Sequence, residues 1–238
     1  MDDDNQKIQR LKELIQKTDT ILIGAGAGLS TSAGMLYSGE EFEKNFGDFI
    51  KKYNFTDLYT AGFHDFKDPQ EYWSFWSRFI HYERYTMPPK PVYQNLYKLV
   101  QNKNYFVITT NVDHFFQRTG FDKKRLFYTQ GDFGLLQCKK PCHNKNYDNE
   151  KEIEEMFKVQ KDMKIPKELI PKCPVCKGPM IPNLRGGDYF VEDDGWYQAA
   201  GRYEEFLKKY KDGDILFIDL GSGMNTPSIF KFPFMKMI

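Results

Sequence analysis

Residues 20–34, TILIGAGAGLSTSAG, constrain the fold of this chain more than any other segment. The apolar run Thr20–Ile23 has the length and branching of a buried strand, and the glycines behind it force a tight turn that opens a helix. Strand, glycine-rich turn and helix start, in that order, form the arrangement that holds phosphates against backbone N–H groups and hydroxyls. The candidate pyrophosphate cradle is therefore Gly24, Ala25, Gly26 and Ala27, with Ser30, Thr31 and Ser32 as donors. Leu29 stands where the strict dinucleotide pattern has its last glycine, so the turn alone is a weak signal and its position after a strand carries the inference.

Three more apolar runs end in polar or glycine-rich residues. Tyr105–Thr110 leads to Asn111 and Asp113, Arg125–Tyr128 leads to Gln130, and Asp214–Leu220 leads to Gly221, Ser222, Gly223 and Asn225. Open parallel sheets bind ligands beyond the carboxyl ends of their strands. The expected fold is thus α/β, a Rossmann-like parallel sheet, with a site built from residues 24–34, 109–113, 128–132 and 221–225. Residues 5–18 read as a packing helix, with Ile8, Leu11, Leu14 and Ile15 on one face. Residues 36–95 are aromatic and irregular and read as a helical insert, in which Trp73 and Trp76 suit core packing better than a ligand channel.

The four cysteines fall as Cys138-x3-Cys142 and Cys173-x2-Cys176, with prolines and a glycine to tighten the turns. Two close pairs separated by a longer loop suit tetrahedral zinc, and four thiolates leave no open position for a catalytic water. The expectation is a small structural zinc-binding module over 135–185, with His143 facing solvent rather than binding metal. The charged stretch between the pairs, residues 143–164, reads as a solvated, partly mobile insert. Net charge is +1, which supplies no field to gather nucleic acid or anionic lipid. With an acidic, polar start and no long apolar run, the chain is expected to work in the cytoplasm, with neither nucleic acid nor membrane as a partner.

Together GAGAGLSTSAGM, TTNVD, the Gln-Gly-Asp after a strand, the paired cysteines and the late LGSG resemble the sirtuins, zinc-containing, NAD-consuming α/β enzymes that usually remove acyl groups from lysine. The resemblance covers nearly the whole chain and implies one catalytic domain over 1–238. It assigns the NAD phosphates to Gly24–Ser32 and the nicotinamide pocket to Asn111 and Asp113, with Gly221, Ser222, Gly223 and Asn225 as further cofactor-binding residues. A histidine that activates the cofactor ribose is replaced here by Gln130. Two further departures stand at Met35–Ser38, in place of Pro-Asp-Phe-Arg, and in RGGDYFVEDDGW, which lacks the substrate-clamping Phe-Gly-Glu; Tyr37 and Ser38 fall where an arginine would border the ribose. The altered segments resemble the class M microbial sirtuins associated with macrodomain proteins. That resemblance implies NAD-dependent protein ADP-ribosyl transfer to a lipoylated carrier protein of the glycine-cleavage type, with a macrodomain hydrolase as functional partner. It also implies further sheet and adenine-site residues beyond Ile238, and the apolar run 228–238 is expected to need a covering partner.

Cleaving the ribose–nicotinamide bond develops positive charge on the sugar, so the leaving amide must be held, water excluded and the acceptor placed. Asn111, Asp113 and Gln130 are the catalytic candidates for those tasks. Removing an acyl group needs, in addition, a base for the ribose 2′-hydroxyl, and an amide cannot take up that proton. Gln130 therefore favours transfer over the alternative, lysine deacylation; NAD hydrolysis and binding of NAD or ADP-ribose without turnover are further rivals. By residue type alone, Asn111 and Asp113 also suit a helix cap, Gln130 a satisfied loop amide, and His114 a substitute base that points elsewhere.

Overall fold

The computed structural model describes residues 2–35, 38–88 and 90–238, with side chains from Asp4 onward. In chain order its elements are α1 (Asp2–Lys17), β1 (Thr20–Ala25), α2 (Ala27–Ser32), α3 (Glu40–Tyr53), α4 (Leu58–Gly62), α5 (Pro69–Ile80), a π-helical turn (His81–Thr86), α6 (Pro91–Val100), β2 (Asn104–Thr109), α7 (Phe115–Thr119), β3 (Leu126–Tyr128), β4 (Gly131–Cys138), β5 (Tyr147–Asp148), α8 (Glu150–Val159), β6 (Met180–Leu184), α9 (Asp194–Tyr210), β7 (Ile215–Leu220) and α10 (Lys231–Met237). They form two compact units. One takes its residues from 1–33, 89–130 and 194–238, the other from 34–88 and 131–193.

The first unit is the expected Rossmann-like sheet. Its strand order is β3-β2-β1-β7 and all neighbours are parallel. Every residue of β1 is buried, as a central parallel strand covered on both faces requires. Leu22, Phe106, Ile108 and Phe127 form one face, closed by Ala199 from α9 and by Phe230 and Phe234 at the chain's end. Tyr105, on the opposite face, meets Phe121, which also packs on Tyr97 of α6. The register aligns Ala25 with both Thr109 and Leu220, and Thr109 with Tyr128. The four strands therefore end in a single row, and the polar segments behind them emerge from one edge of the sheet.

The second unit contains the helical residues 40–86 and the cysteine module. Its sheet is antiparallel, β5-β4-β6. Phe46, Phe49, Phe75, Trp76 and Phe79 make an aromatic core that reaches the sheet through Phe133, whose ring centroid lies 5.1 Å from that of Phe79. Trp73 and Trp76 are buried, as the helical spacing predicts. Local chemistry sets the helix starts. Asp57 and Asp68 accept backbone N–H bonds at the caps of α4 and α5, and Pro69 opens α5.

Three expectations change. The charged stretch between the cysteine pairs is not a solvated insert: α8 buries Ile153 and Met156, one turn apart, and the Gln160 side chain accepts bonds from Ser74 and Arg78 of α5. A high charge count concealed an amphipathic helix whose apolar stripe is Ile153, Met156 and the half-buried Phe157. The packing helix α1 is half-buried only toward its C-terminal end, and Ile8 and Leu11 are exposed, since only that end approaches the sheet. Part of the apolar tail covers the chain's own core, Phe230 and Phe234 being 1% and 4% exposed, while Phe232, Met235, Met237 and Ile238 stay exposed. Phe234→Ala should cost about 3–5 kcal/mol in denaturant unfolding, whereas Met235→Ala, at an exposed neighbour, should be nearly neutral.

Candidate functional site

The row of strand ends is held together by backbone and hydroxyl bonds before any ligand enters. Thr109 Oγ1 donates to the carbonyl of Ala25 at 2.9 Å and accepts the N–H of Asn111 at 3.0 Å. Thr129 Oγ1 reaches the carbonyl of Thr109 at 3.1 Å. On the other side, Gly26 N–H bonds to Leu220 and Gly28 N–H to Gly221. The turns approach so closely that a Cβ on Gly26 would lie 2.7 Å from the Gly221 carbonyl oxygen, and Gly221 itself has φ of 70°. The glycines of the first and last motifs thus serve each other's backbone, a close approach that no side chain permits.

Asp113 and Asn111 sit in a buried polar network. Ser30 Oγ donates to Asp113 Oδ2 at 2.5 Å and lies 3.0 Å from the Tyr93 hydroxyl, to which Asn111 Nδ2 donates at 3.3 Å. Asp113 Oδ1 accepts the N–H of Phe115 at 2.9 Å, capping the short helix α7, and His114 between them takes a left-handed φ of 67°. The cap and the buried site are therefore one arrangement: the same carboxylate starts α7 and fixes Ser30. Tyr93, fully buried on α6, was not legible as a site residue. Its position in a plain helical pattern gives no signal, and only the tertiary fold shows that it joins two motifs.

The structure brings Ser30, Asn111 and Asp113 together. It turns the Ser30 hydroxyl inward, and those of Thr31 and Ser32 back onto the carbonyls of Ala27 and Leu29, so the exposed rim of the turn is largely backbone. Ser222 is held by Asp219, through its N–H at 3.1 Å and through its hydroxyl, and Lys231 Nζ reaches the same hydroxyl at 3.1 Å. Gly223 and Asn225 lie on an exposed loop beyond it. Gln130, directly after β3, is half-buried. Among the described residues its side chain has no hydrogen-bond partner. Leu36 and Tyr37 of the altered segment lie outside the described residues.

Gly131 begins β4 with φ of 97°, where a Cβ would meet the Asn183 carbonyl oxygen at 1.8 Å. The strand runs on to Cys138. A backbone bond from Lys139 to Pro179 joins the two cysteine loops, and all four Sγ atoms lie within 4.8 Å of one another. Cys138 and Cys176 are 3.6 Å apart, as are Cys142 and Cys173. Tetrahedral zinc with thiolate bonds of about 2.3 Å wants sulfurs roughly 3.8 Å apart, so the cluster fits that ion. The backbone N–H of Cys176 pulls the Cys173 thiol down to about 7, while desolvation and the neighbouring thiols push Cys142 up to about 12. His143 is not simply solvent-facing. Its Nδ1 lies 3.0 Å from Cys142 Sγ and its Nε2 2.8 Å from the Tyr147 hydroxyl, which holds the loop from outside the four-sulfur set. Elemental analysis should find one zinc per chain, and Cys173→Ser should lose it together with several kcal/mol of stability.

Comparison with known proteins agrees with this geometry. The profile of the Sir2 family matches residues 26–212. A protein ADP-ribosyltransferase of Staphylococcus aureus is 40% identical over the whole chain, which spans 76% of that protein. A probable bifunctional ADP-ribose hydrolase/ADP-ribosyltransferase of Fusarium oxysporum f. sp. cubense is 28% identical over 93% of this chain and 38% of its own length. Among solved structures, a mutant Sir2 homologue in complex with ADP-ribose superposes with a TM-score of 0.59 at 15% identity, covering 95% of this chain and 79% of the other. The strand-end row, the four-cysteine cluster and the extent of these matches lead to one conclusion: the chain belongs to the Sir2 family.

Proposed function

We propose that this chain is an NAD-dependent protein ADP-ribosyltransferase whose acceptor is a lipoylated carrier protein of the glycine-cleavage type. The observation that carries the reading is Gln130: a half-buried amide at a strand end, without a partner among the described residues, at the position where a deacylase of this family has its titrating histidine. The name of the Staphylococcus aureus relative supports the same reaction class. When bound, NAD supplies an electrophilic ribosyl carbon with nicotinamide as its leaving group.

The chain's own residues suit the tasks that remain. The backbone rim at Gly24–Ala27, with Ser30–Ser32 behind it and Gly221–Gly223 and Asn225 beside it, would hold the phosphates. Asn111 and Asp113, immobilised through Tyr93 and Ser30, would orient the carboxamide and shield the ribose from water. Gln130 would hold ribose hydroxyls or the incoming nucleophile through its donor and acceptor faces. No member of this set is a strong base, and ADP-ribosyl transfer to an already nucleophilic acceptor asks for none. Four cysteines gathered as one metal-binding set rather than paired as disulfides accord with action in the reducing cytoplasm. A macrodomain-type hydrolase that removes the modification is the proposed functional partner, and the paired activities named for the Fusarium relative support it.

The test is label transfer from NAD to the carrier in its lipoylated and unlipoylated forms. Label should appear on the lipoylated carrier alone. Nicotinamide release without label would make water the acceptor, and acyl removal from a lysine peptide without label would make the chain a deacylase. Gln130→Ala should lower transfer by about 10²-fold with zinc content unchanged. Tyr93→Phe keeps the ring but releases Asn111 and Ser30, and should lower kcat/KM roughly tenfold, about 1.4 kcal/mol of transition-state stabilisation.

A further inference from the structure

Outside the nucleotide site, the second unit builds a hydroxyl–imidazole–carboxylate relay on its π-helical turn. His81 Nδ1 lies 2.5 Å from Glu154 Oε1, and His81 Nε2 lies 3.1 Å from Thr86 Oγ1. With Nδ1–H donating to the carboxylate, Nε2 is left as the acceptor for the threonine hydroxyl proton. That is the geometry in which a base activates a nucleophile and a third group orients the base.

The helix type is what makes the contact. Residues 81 and 86 are five apart, and on an α-helix they would stand about 140° from one another around the axis. The turn instead closes with the i→i+5 bond from Met87 N–H to the Tyr82 carbonyl at 2.9 Å, which places Thr86 beneath His81. π-Turns cost backbone geometry and are frequent at functional sites. The imidazole is fixed by stacking on Phe157, with ring centroids 3.7 Å apart and planes 12° off parallel, and the turn is tied down by Arg84, whose Nε lies 3.0 Å from Asp132. The base is half-buried while Thr86 is exposed, so the nucleophile is the member of the relay that solvent-borne molecules can reach.

We propose that Thr86 is a second reactive centre, an activated hydroxyl that accepts the acyl group of small activated esters. The Thr86 O–H proton passes to His81 Nε2 as Oγ1 forms a bond to the acyl carbon. The bond from that carbon to the leaving oxygen then breaks, and the leaving oxygen takes the proton from the imidazole. Glu154 stabilises the imidazolium between these events. Water, deprotonated by the same nitrogen, then releases the acid and restores the hydroxyl.

The experiment is nitrophenol release from p-nitrophenyl acetate by the zinc-loaded full chain, with peptide mass spectrometry to locate the acetyl group. The expected result is acetyl on Thr86, and release reduced about 10²-fold in both Thr86→Val and His81→Gln, with a smaller loss in Glu154→Gln. Thr86→Val preserves side-chain shape, so an unchanged melting temperature assigns its loss to the hydroxyl. Acetyl found only on lysine or cysteine, or wild-type release from either of the first two variants, would overturn the proposal.

Discussion

The parallel register of four strands is the constraint on which the rest of the first unit depends. Because Ala25, Thr109, Tyr128 and Leu220 share one row, the four segments behind them must emerge side by side, whatever their spacing in sequence. That proximity makes the later contacts possible. Gly26 and Gly28 can press against Gly221 only because β1 and β7 end level, and Ser30 can reach Asp113 only because β1 and β2 do. The site is therefore largely organised by the sheet, with the buried bonds through Tyr93 as its final fastening.

Those bonds give Asp113 two structural duties at once, since its two carboxylate oxygens serve α7 and Ser30 respectively. A change at Ser30 or Tyr93 is consequently felt at Asn111 and Asp113 without either being touched. Buried, hydrogen-bonded polar networks of this kind fix a geometry well but tolerate the loss of a member poorly. Gln130 differs, because none of the other described residues holds its amide. In the proposed reaction that freedom is useful: a side chain with donor and acceptor faces can meet the sugar or the acceptor, whereas a titrating group there would open the deacylation route.

The sheet, the common row of its strand ends and the cysteine cluster were legible in the sequence because each is encoded locally. A buried strand shows as an apolar run, a tight turn as glycines, and a metal site as cysteine pairs with two and three residues between them. What escaped was written in tertiary contacts. Tyr93 looks like any apolar helix residue until α6 packs, Ile153 and Met156 are two apolar positions in a highly charged stretch, and the contact of His81 with Thr86 needs a π-turn that no local pattern announces. The inward turn of the Ser30 hydroxyl was likewise invisible, since a hydroxyl in a glycine-rich turn suits a phosphate and a buried carboxylate equally well.

In the proposed reaction the identity of residue 130 decides between transfer and deacylation within one Sir2 scaffold. Gln130→His restores a titrating base at an otherwise unchanged strand end, so the most direct measurement is acyl removal from an acetyl-lysine peptide by the wild-type protein and this variant, each with NAD. The expected result is negligible removal by the wild type and a clear gain, about 10²-fold or more, in the variant. Equal and efficient acyl removal by both proteins would rule out the proposed role of residue 130.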